Sequence, residues 1–218
     1  MRDAMPARNG LRAVLFDWDG TLVDSAERTF ACYVKVFAAY GIAFDHAAFE
    51  RTYSPDWYRT YEQVGLAREH WPEADARWLA CYATAPSLLL PGARETLERL
   101  AGAGLVQGLV SSGDGSRVRR EIEELGLARF FGAVVCGGET ACRKPHPEPL
   151  LLALERLGVP AGRTAYVGDS PEDVAMAKSA GVVSVGVPGR FPNRETLAAS
   201  APDILALSLD SVVNALLR

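Results

Sequence analysis

The stretch that decides the fold is Ala13-Val14-Leu15-Phe16-Asp17-Trp18-Asp19-Gly20-Thr21-Leu22. Its apolar start, Ala13–Asp17, reads as a strand. Alternation along an extended chain sets the Asp17 and Asp19 side chains on one side, with Trp18 pointing away. Paired carboxylates at the carboxyl end of a parallel strand stand where α/β sheets place their ligands. Like charges that close resist joint ionisation unless a cation or a proton intervenes. The pair therefore predicts a bound Mg²⁺, one carboxyl kept protonated, or both. A solvated Asp-Gly turn is the competing reading, because Asp, Gly and Thr all suit turns.

Further apolar runs resemble the first: Gln107–Ser111, Ala133–Cys136, Ala165–Gly168 and Val182–Val187. Between them Arg94–Ala103, Arg117–Leu125, Pro149–Leu157 and Glu172–Ala180 have the apolar spacing of helices. Strands alternating with helices, without tight hairpin turns, predict a parallel α/β sheet, and continuous apolar strands fit burial on both faces. The expected core is a doubly wound, Rossmann-like sheet. Residues 24–88 break the alternation: they hold 13 of the 19 aromatic residues but only 2 of the 20 glycines. Phe30, Tyr33, Val34 and Phe37 recur at helical spacing, with Gly41 as a stop. We read 24–88 as a small helical domain inserted into one loop, and residues 1–23 with 89–218 as the core.

Three other strand ends carry polar groups. Leu109-Val110-Ser111-Ser112-Gly113 runs from strand into glycine, where hydroxyls and free N–H groups suit phosphate oxygens; a plain strand–loop–helix joint fits equally. Arg143-Lys144-Pro145-His146-Pro147-Glu148 sets a lysine before a proline that favours extended backbone. Only three of the 23 basic residues are lysines (Lys35, Lys144 and Lys178), and a compact ammonium suits one developing charge better than a planar fork. His146 reads as a loop residue, with no second His or Cys at metal spacing. Tyr166-Val167-Gly168-Asp169-Ser170-Pro171-Glu172-Asp173 again delivers carboxylates at a strand end, and its polar residues also suit a helix cap.

Composition narrows the function. The chain has 218 residues and a formal net charge of −4, which argues against binding nucleic acid by bulk phosphate neutralisation. Its longest uncharged stretch, Trp78–Ala93, is broken by Pro86 and Pro91 and falls short of the roughly 20 residues of a membrane span. No apolar leader core precedes the first strand, so a cytoplasmic location is expected. The four cysteines form no CxxC pair and read as reduced thiols.

Taken in order, Asp17-x-Asp19-Gly20-Thr21, Ser111, Lys144-Pro145 and Gly168-Asp169-Ser170-x-x-Asp173 resemble the haloacid dehalogenase-like superfamily. The resemblance runs from residue 13 to about 210 and is nearest to its phosphoglycolate phosphatase and β-phosphoglucomutase-like branch. It implies a Mg²⁺-dependent phosphatase of a small phosphorylated metabolite. Asp17 is then the nucleophile that forms an aspartyl-phosphate, and Asp19 the general acid and later base. The Asp17 and Asp169 carboxylates and the Asp19 carbonyl hold Mg²⁺. Ser111, Ser112 and Lys144 bind the phosphoryl group, while Gly20, Thr21 and Asp173 support the site. Dehalogenases of the superfamily lack the second aspartate of the first motif, so Asp19 favours phosphoryl transfer.

A sugar-phosphate phosphomutase is the first alternative. A non-catalytic phospho-aspartate module is the second, and the insert argues against it. The resemblance makes 24–88 the superfamily's helical cap domain over a catalytic core of 1–23 and 89–218. It implies that specificity lies in this cap, where Arg51 or Arg59 is a candidate to clamp a second anionic group; a solvated helix face is the competing reading. A monomer or weak homodimer is expected, with no nucleic-acid or membrane partner.

Overall fold

The computed structural model describes residues 10–217; the parts of the expected core at 1–9 and 218 lie outside them. β1 (Ala13–Phe16), β2 (Val106–Asp114), β3 (Ala133–Gly137), β4 (Thr164–Gly168), β5 (Val183–Gly186) and β6 (Ile204–Leu205) form one parallel sheet in the order β3-β2-β1-β4-β5-β6. β1 is wholly buried. Its period of two splits it between two apolar layers. Val14 and Phe16 pack with side chains of α5 (Ala93–Gly102), α6 (Gly115–Glu124) and α10 (Leu209–Leu216), among them Leu97, Val118 and Val212. Ala13 and Leu15 pack with Leu150 of α7 (Glu148–Leu157) and Met176 of α8 (Pro171–Ser179). The sheet is thus doubly wound, as expected.

The chain steps from β1 to β2 on one side and later places β4 on the other. The carboxyl ends of β1 and β4 therefore flank the point where strand order reverses, and a crevice opens there. Asp17 and Asp169 follow these two strands directly.

All five expected strands are present, with one difference at β2. It extends past Ser111 to Asp114 through a register shift after Val110, because Asp114 pairs with Gly137. Two helices and one strand lie beyond the last expected strand: α9 (Arg194–Ala199), α10 and β6. The two residues of β6 are too few for any alternation to show, and β6 is defined by its register with Val185 and Gly186.

Between β1 and α5 stand α1 (Ala26–Ala38), α2 (His46–Thr52), α3 (Trp57–Gln63) and α4 (Trp71–Tyr82). Most aromatics of this stretch build its own core, with Phe37 edge-on to Phe44 at 4.8 Å between ring centres and Tyr33 stacked on Phe37 at 5.2 Å. Asp45 and Asp56 start α2 and α3 by accepting from the amides of Ala48 and Tyr58, satisfying donors that helix ends leave free. The chain enters and leaves this layer at adjoining points. Asp24 N donates to Leu88 O at 2.8 Å, and Leu90 N to Leu22 O at 2.9 Å. On this crossing we propose the cap boundaries at 23/24 and 88/89. Among the described residues no helix is long and apolar enough to cross a membrane.

Candidate active site

Asp17 is 6% exposed, and its Oδ1 accepts a hydrogen bond from Lys144 Nζ at 2.7 Å. The same ammonium donates to Asp173 Oδ1 at 2.8 Å and to the Tyr166 hydroxyl at 2.7 Å. Tyr166 in turn donates to the Val110 carbonyl at 2.9 Å. Asp173 is fixed from its own side by the start of α8. Its Oδ2 accepts from the Ser170 hydroxyl at 2.6 Å and amide at 3.2 Å, and Ser170 Oγ accepts from the Asp173 amide at 3.2 Å, the two amide bonds making a reciprocal capping box. One short sequence thus caps a helix and aims a carboxylate at the ammonium.

Burial drives the electrostatics. It pushes the Asp17 carboxyl up, the Lys144 charge pulls it back, and Asp173 and Asp19 push it up again. Asp169 is raised well above the usual carboxylate range by burial and then by Asp17 and Asp173. For Lys144 burial works against the charge, yet Asp17 and Asp173 outweigh it and hold the amine protonated.

Oxygens of Asp17, Asp169 and Asp173 lie within 4.8 Å of one another. Asp169 Oδ1 has one long contact, 3.5 Å from Thr21 Oγ1, while its Oδ2 is buried without a hydrogen-bond partner. Gly20 leaves that oxygen room: it has φ +88, and a Cβ there would meet Asp169 Oδ2 at 2.4 Å. Clustered, desolvated carboxylates with an orphaned oxygen fit a hard divalent cation. Both Asp173 oxygens are already engaged, one by Lys144 and the other by Ser170.

Asp19 faces another way. Both its oxygens meet the buried Arg117 guanidinium, Nη1 at 3.2 Å and Nη2 at 2.5 Å. Arg117 also donates to Glu121 at 3.1 Å, which accepts from Trp18 Nε1 at 2.7 Å. Burial opposes the Asp19 charge, yet Arg117 holds its carboxyl below the usual range. Gly113 clears the path, because a Cβ there would stand 2.2 Å from Arg117 Nη2. Ser111 is buried and accepts from the Gly113 amide at 3.0 Å.

A cavity of about 320 Å³ covers this floor and brings together Asp17, Asp19, Ser111, Ser112, Lys144, Asp169 and Asp173. Its roof is aromatic, from Tyr33, Tyr53, Trp57, Tyr58, Tyr61 and Trp78. Phe191 closes one side from the core and stacks on Tyr53 at 4.4 Å. Arg51 and Arg59 do not line the cavity; both are exposed, on the outward sides of α2 and α3. Among the described residues, Arg143 joins Lys144 and Arg117 in lining it. Sequence reading passed over Arg143, as it did Arg117, Tyr166 and Phe191; the dipeptide Arg143-Lys144 beside a motif lysine was the one local signal.

Cys142 also corrects the reading of His146. It lies four residues earlier, and with Glu148 these side chains bring ligand atoms within 4.8 Å. Loop-internal bonds account for the cluster: Glu148 accepts from the Cys142 amide at 2.8 Å, and His146 Nδ1 accepts from the Glu148 amide at 3.2 Å.

A family model described as haloacid dehalogenase-like hydrolase matches residues 14–187, from β1 to the end of β5. The chain belongs to that family. The phosphoglycolate phosphatase of Salmonella typhimurium is 31% identical to it over 97% of this chain and 95% of the relative. The chain is an enzyme, a phosphoric monoester hydrolase. Among solved structures, a Haemophilus somnus protein described as a predicted phosphoglycolate phosphatase superposes with a TM-score of 0.85. It covers 95% of this chain and 99% of that one at 21% identity, and shares the fold. A Thermotoga maritima protein assigned as a β-phosphoglucomutase gives a TM-score of 0.73 at 26% identity, over 94% of this chain and 98% of that one.

Proposed function

We propose that this hydrolase is a Mg²⁺-dependent phosphatase of a small phosphorylated metabolite, of the phosphoglycolate or sugar-phosphate kind, working through an aspartyl-phosphate. The observation that carries the reading is the 2.7 Å contact of Lys144 Nζ with Asp17, beside the orphaned Asp169 Oδ2 and on the floor of the cavity. Asp17 attacks phosphorus with a carboxylate oxygen; the phosphorus–oxygen bond to the leaving alcohol breaks, and Asp19, which first parts from Arg117 and takes up a proton from solvent, passes that proton to the alcohol. Asp19 then takes a proton from the water that hydrolyses the aspartyl-phosphate, which divides one hard displacement into two easier ones. Lys144 offsets the charge gathering on the phosphoryl oxygens, while Ser111 Oγ and the N–H groups after it hold those oxygens.

The Asp17 and Asp169 carboxylates and the Asp19 carbonyl would hold Mg²⁺. Bound there, the ion supplies positive charge to the phosphoryl group and to the two carboxylates. Asp173 acts through Lys144, and Gly20 and Thr21 shape the loop around Asp169.

Phosphate release from 4-nitrophenyl phosphate and from phosphoglycolate, with Mg²⁺ and with chelator, tests the reading. Asp17→Asn is expected to lower turnover by at least about 10³-fold, the scale of removing a nucleophile; a variant within tenfold of the parent overturns the assignment. The aromatic roof and the Thermotoga maritima neighbour favour a phosphomutase as second reading, recognised by isomerised sugar phosphate appearing without free phosphate. We keep the reading of a metabolite enzyme of the cytoplasm with no nucleic-acid or membrane partner; a net charge of −4 speaks against nucleic acid held by bulk charge. We retain a monomer or weak homodimer, which sedimentation checks.

A further inference from the structure

We propose that Arg143 is the specificity-determining residue: its guanidinium reads a carboxylate on the leaving alcohol, using Trp57 and Tyr58 of the cap as its platform. The inference rests on the phosphatase reading and names the residue that selects the substrate.

Three cations line the cavity, and two are committed. Lys144 has three partners, and Arg117 is bound to Asp19 and Glu121. Arg143 is not. Its guanidinium carbon lies 4.4 Å from the centre of the Trp57 ring and 4.9 Å from that of Tyr58. Its nearest carboxylate is Asp56, at 3.9 Å, beyond hydrogen-bond reach. Nη1 is buried with no hydrogen-bond partner although the side chain as a whole is 34% exposed. A buried N–H left without an acceptor costs about 1–3 kcal/mol. A ligand acceptor that the guanidinium turns to meet removes that cost.

The remaining unpartnered atoms point the same way. Trp57 Nε1, Trp78 Nε1 and Arg117 Nε on the cavity wall are also buried donors without partners. Asp75, the carboxylate on the cap side, is already taken: Tyr58 Oη donates to it at 2.8 Å and Tyr61 Oη at 3.1 Å. The wall around Arg143 therefore carries donors without partners, while each Asp75 oxygen already accepts a hydrogen bond, an arrangement that suits an oxygen-rich anion. Asp75 also holds the ring of Tyr58, which lies flat on Trp71 at 4.7 Å. A planar guanidinium stacked on fixed rings keeps its fork edge free for a carboxylate, as an ammonium could not. Because Arg143 precedes Lys144 on the core while its platform belongs to α3, the reading of the leaving group takes both layers.

Phosphoglycolate and ethyl phosphate form the test pair, since they differ by a carboxylate in place of a methyl group. The parent enzyme is expected to favour phosphoglycolate in kcat/KM. Arg143→Gln is expected to cut that preference by about 10–100-fold, the worth of a charge-assisted hydrogen bond. Arg143→Lys is expected to restore part of it, and Trp57→Leu, which keeps the arginine and removes its platform, to raise KM for phosphoglycolate more than for ethyl phosphate. Equal losses on both substrates, or a parent without preference, overturn the inference and leave the phosphatase reading standing. If the parent releases phosphate from neither, that reading fails, and calorimetric binding of the two compounds to Asp17→Asn and to Asp17→Asn with Arg143→Gln still decides the role of Arg143. Tighter phosphoglycolate binding that disappears with Arg143 supports it, and equal binding overturns it.

Discussion

Lys144 occupies a position where an ammonium and a guanidinium differ most. Three acceptors converge on one nitrogen at 2.7, 2.8 and 2.7 Å, from Asp17, Asp173 and Tyr166, an arrangement that matches a tetrahedral donor and not a flat fork. Lys144→Arg is therefore expected to lose at least about 10²-fold in kcat despite keeping the charge, a loss on the scale of a displaced electrostatic group. Steady-state kinetics on an aryl phosphate check it. Retention of parental kcat would show that charge alone suffices. This residue was legible because its signal is local: an uncommon lysine, a following proline, a strand end before it. Tyr166 was not legible. It lies among apolar residues in β4, and its hydroxyl matters only because β4 pairs with β1, beside the strand that carries Val110.

Helix α6 illustrates what an element adds. Arg117 and Glu121 stand one turn apart on its buried face, where they bind Asp19 and Trp18 from the first motif. Sequence reading recognised the helix from its apolar spacing; the partners of its charged residues are fixed by the docking of α6 against the loop after β1. Replacing Arg117 by Met would leave the buried Glu121 and the part-buried Asp19 carboxylates without their cation. Loss of one partner from a buried ion cluster costs about 3–5 kcal/mol, so Arg117→Met is expected to lower the urea midpoint steeply.

The sheet edge makes a smaller prediction. Asp203, just before β6, accepts from the Ser184 amide at 2.8 Å and hydroxyl at 2.6 Å, and these bonds hold its carboxyl below its ordinary range. A depressed folded pKa contributes stability above the unfolded value, near 3.9, and loses it as pH falls through the folded value. Asp203→Asn is expected to cost about 1 kcal/mol or less at pH 7, given the exposure of the site, and the gap from the parent should close below about pH 4. Denaturation at several pH values reads it directly.

At the scale of the molecule, the sheet gathers carboxylates from the two strand ends beside its reversal point and from the first turn of α8. Their mutual repulsion is a cost of folding that a cation removes. Mg²⁺ is expected to raise the melting temperature, with about 2.7 kcal/mol of stabilisation at one hundred times its dissociation constant. Asp169→Asn should lose most of that response. A parent whose melting does not respond to Mg²⁺ would count against a metal at these carboxylates.

The general layout of sheet and insert was readable from glycine and aromatic usage, and the contents of the motifs from strand-end chemistry. Arg143 and Phe191 were not, because each acquires its meaning only when the insert folds down on the core.

The crossing at Asp24 and Leu88 has a practical side. One backbone hydrogen bond spans the two ends of the insert, so the ends stand as close as those of a hairpin. A short turn can bridge that gap without stretching either neighbour, and so can a foreign helical module whose own termini lie together. On the boundaries proposed above the scaffold below is a socket, and grafting inserts from relatives onto this sheet separates what the insert contributes to leaving-group preference from what Arg143 contributes from the core.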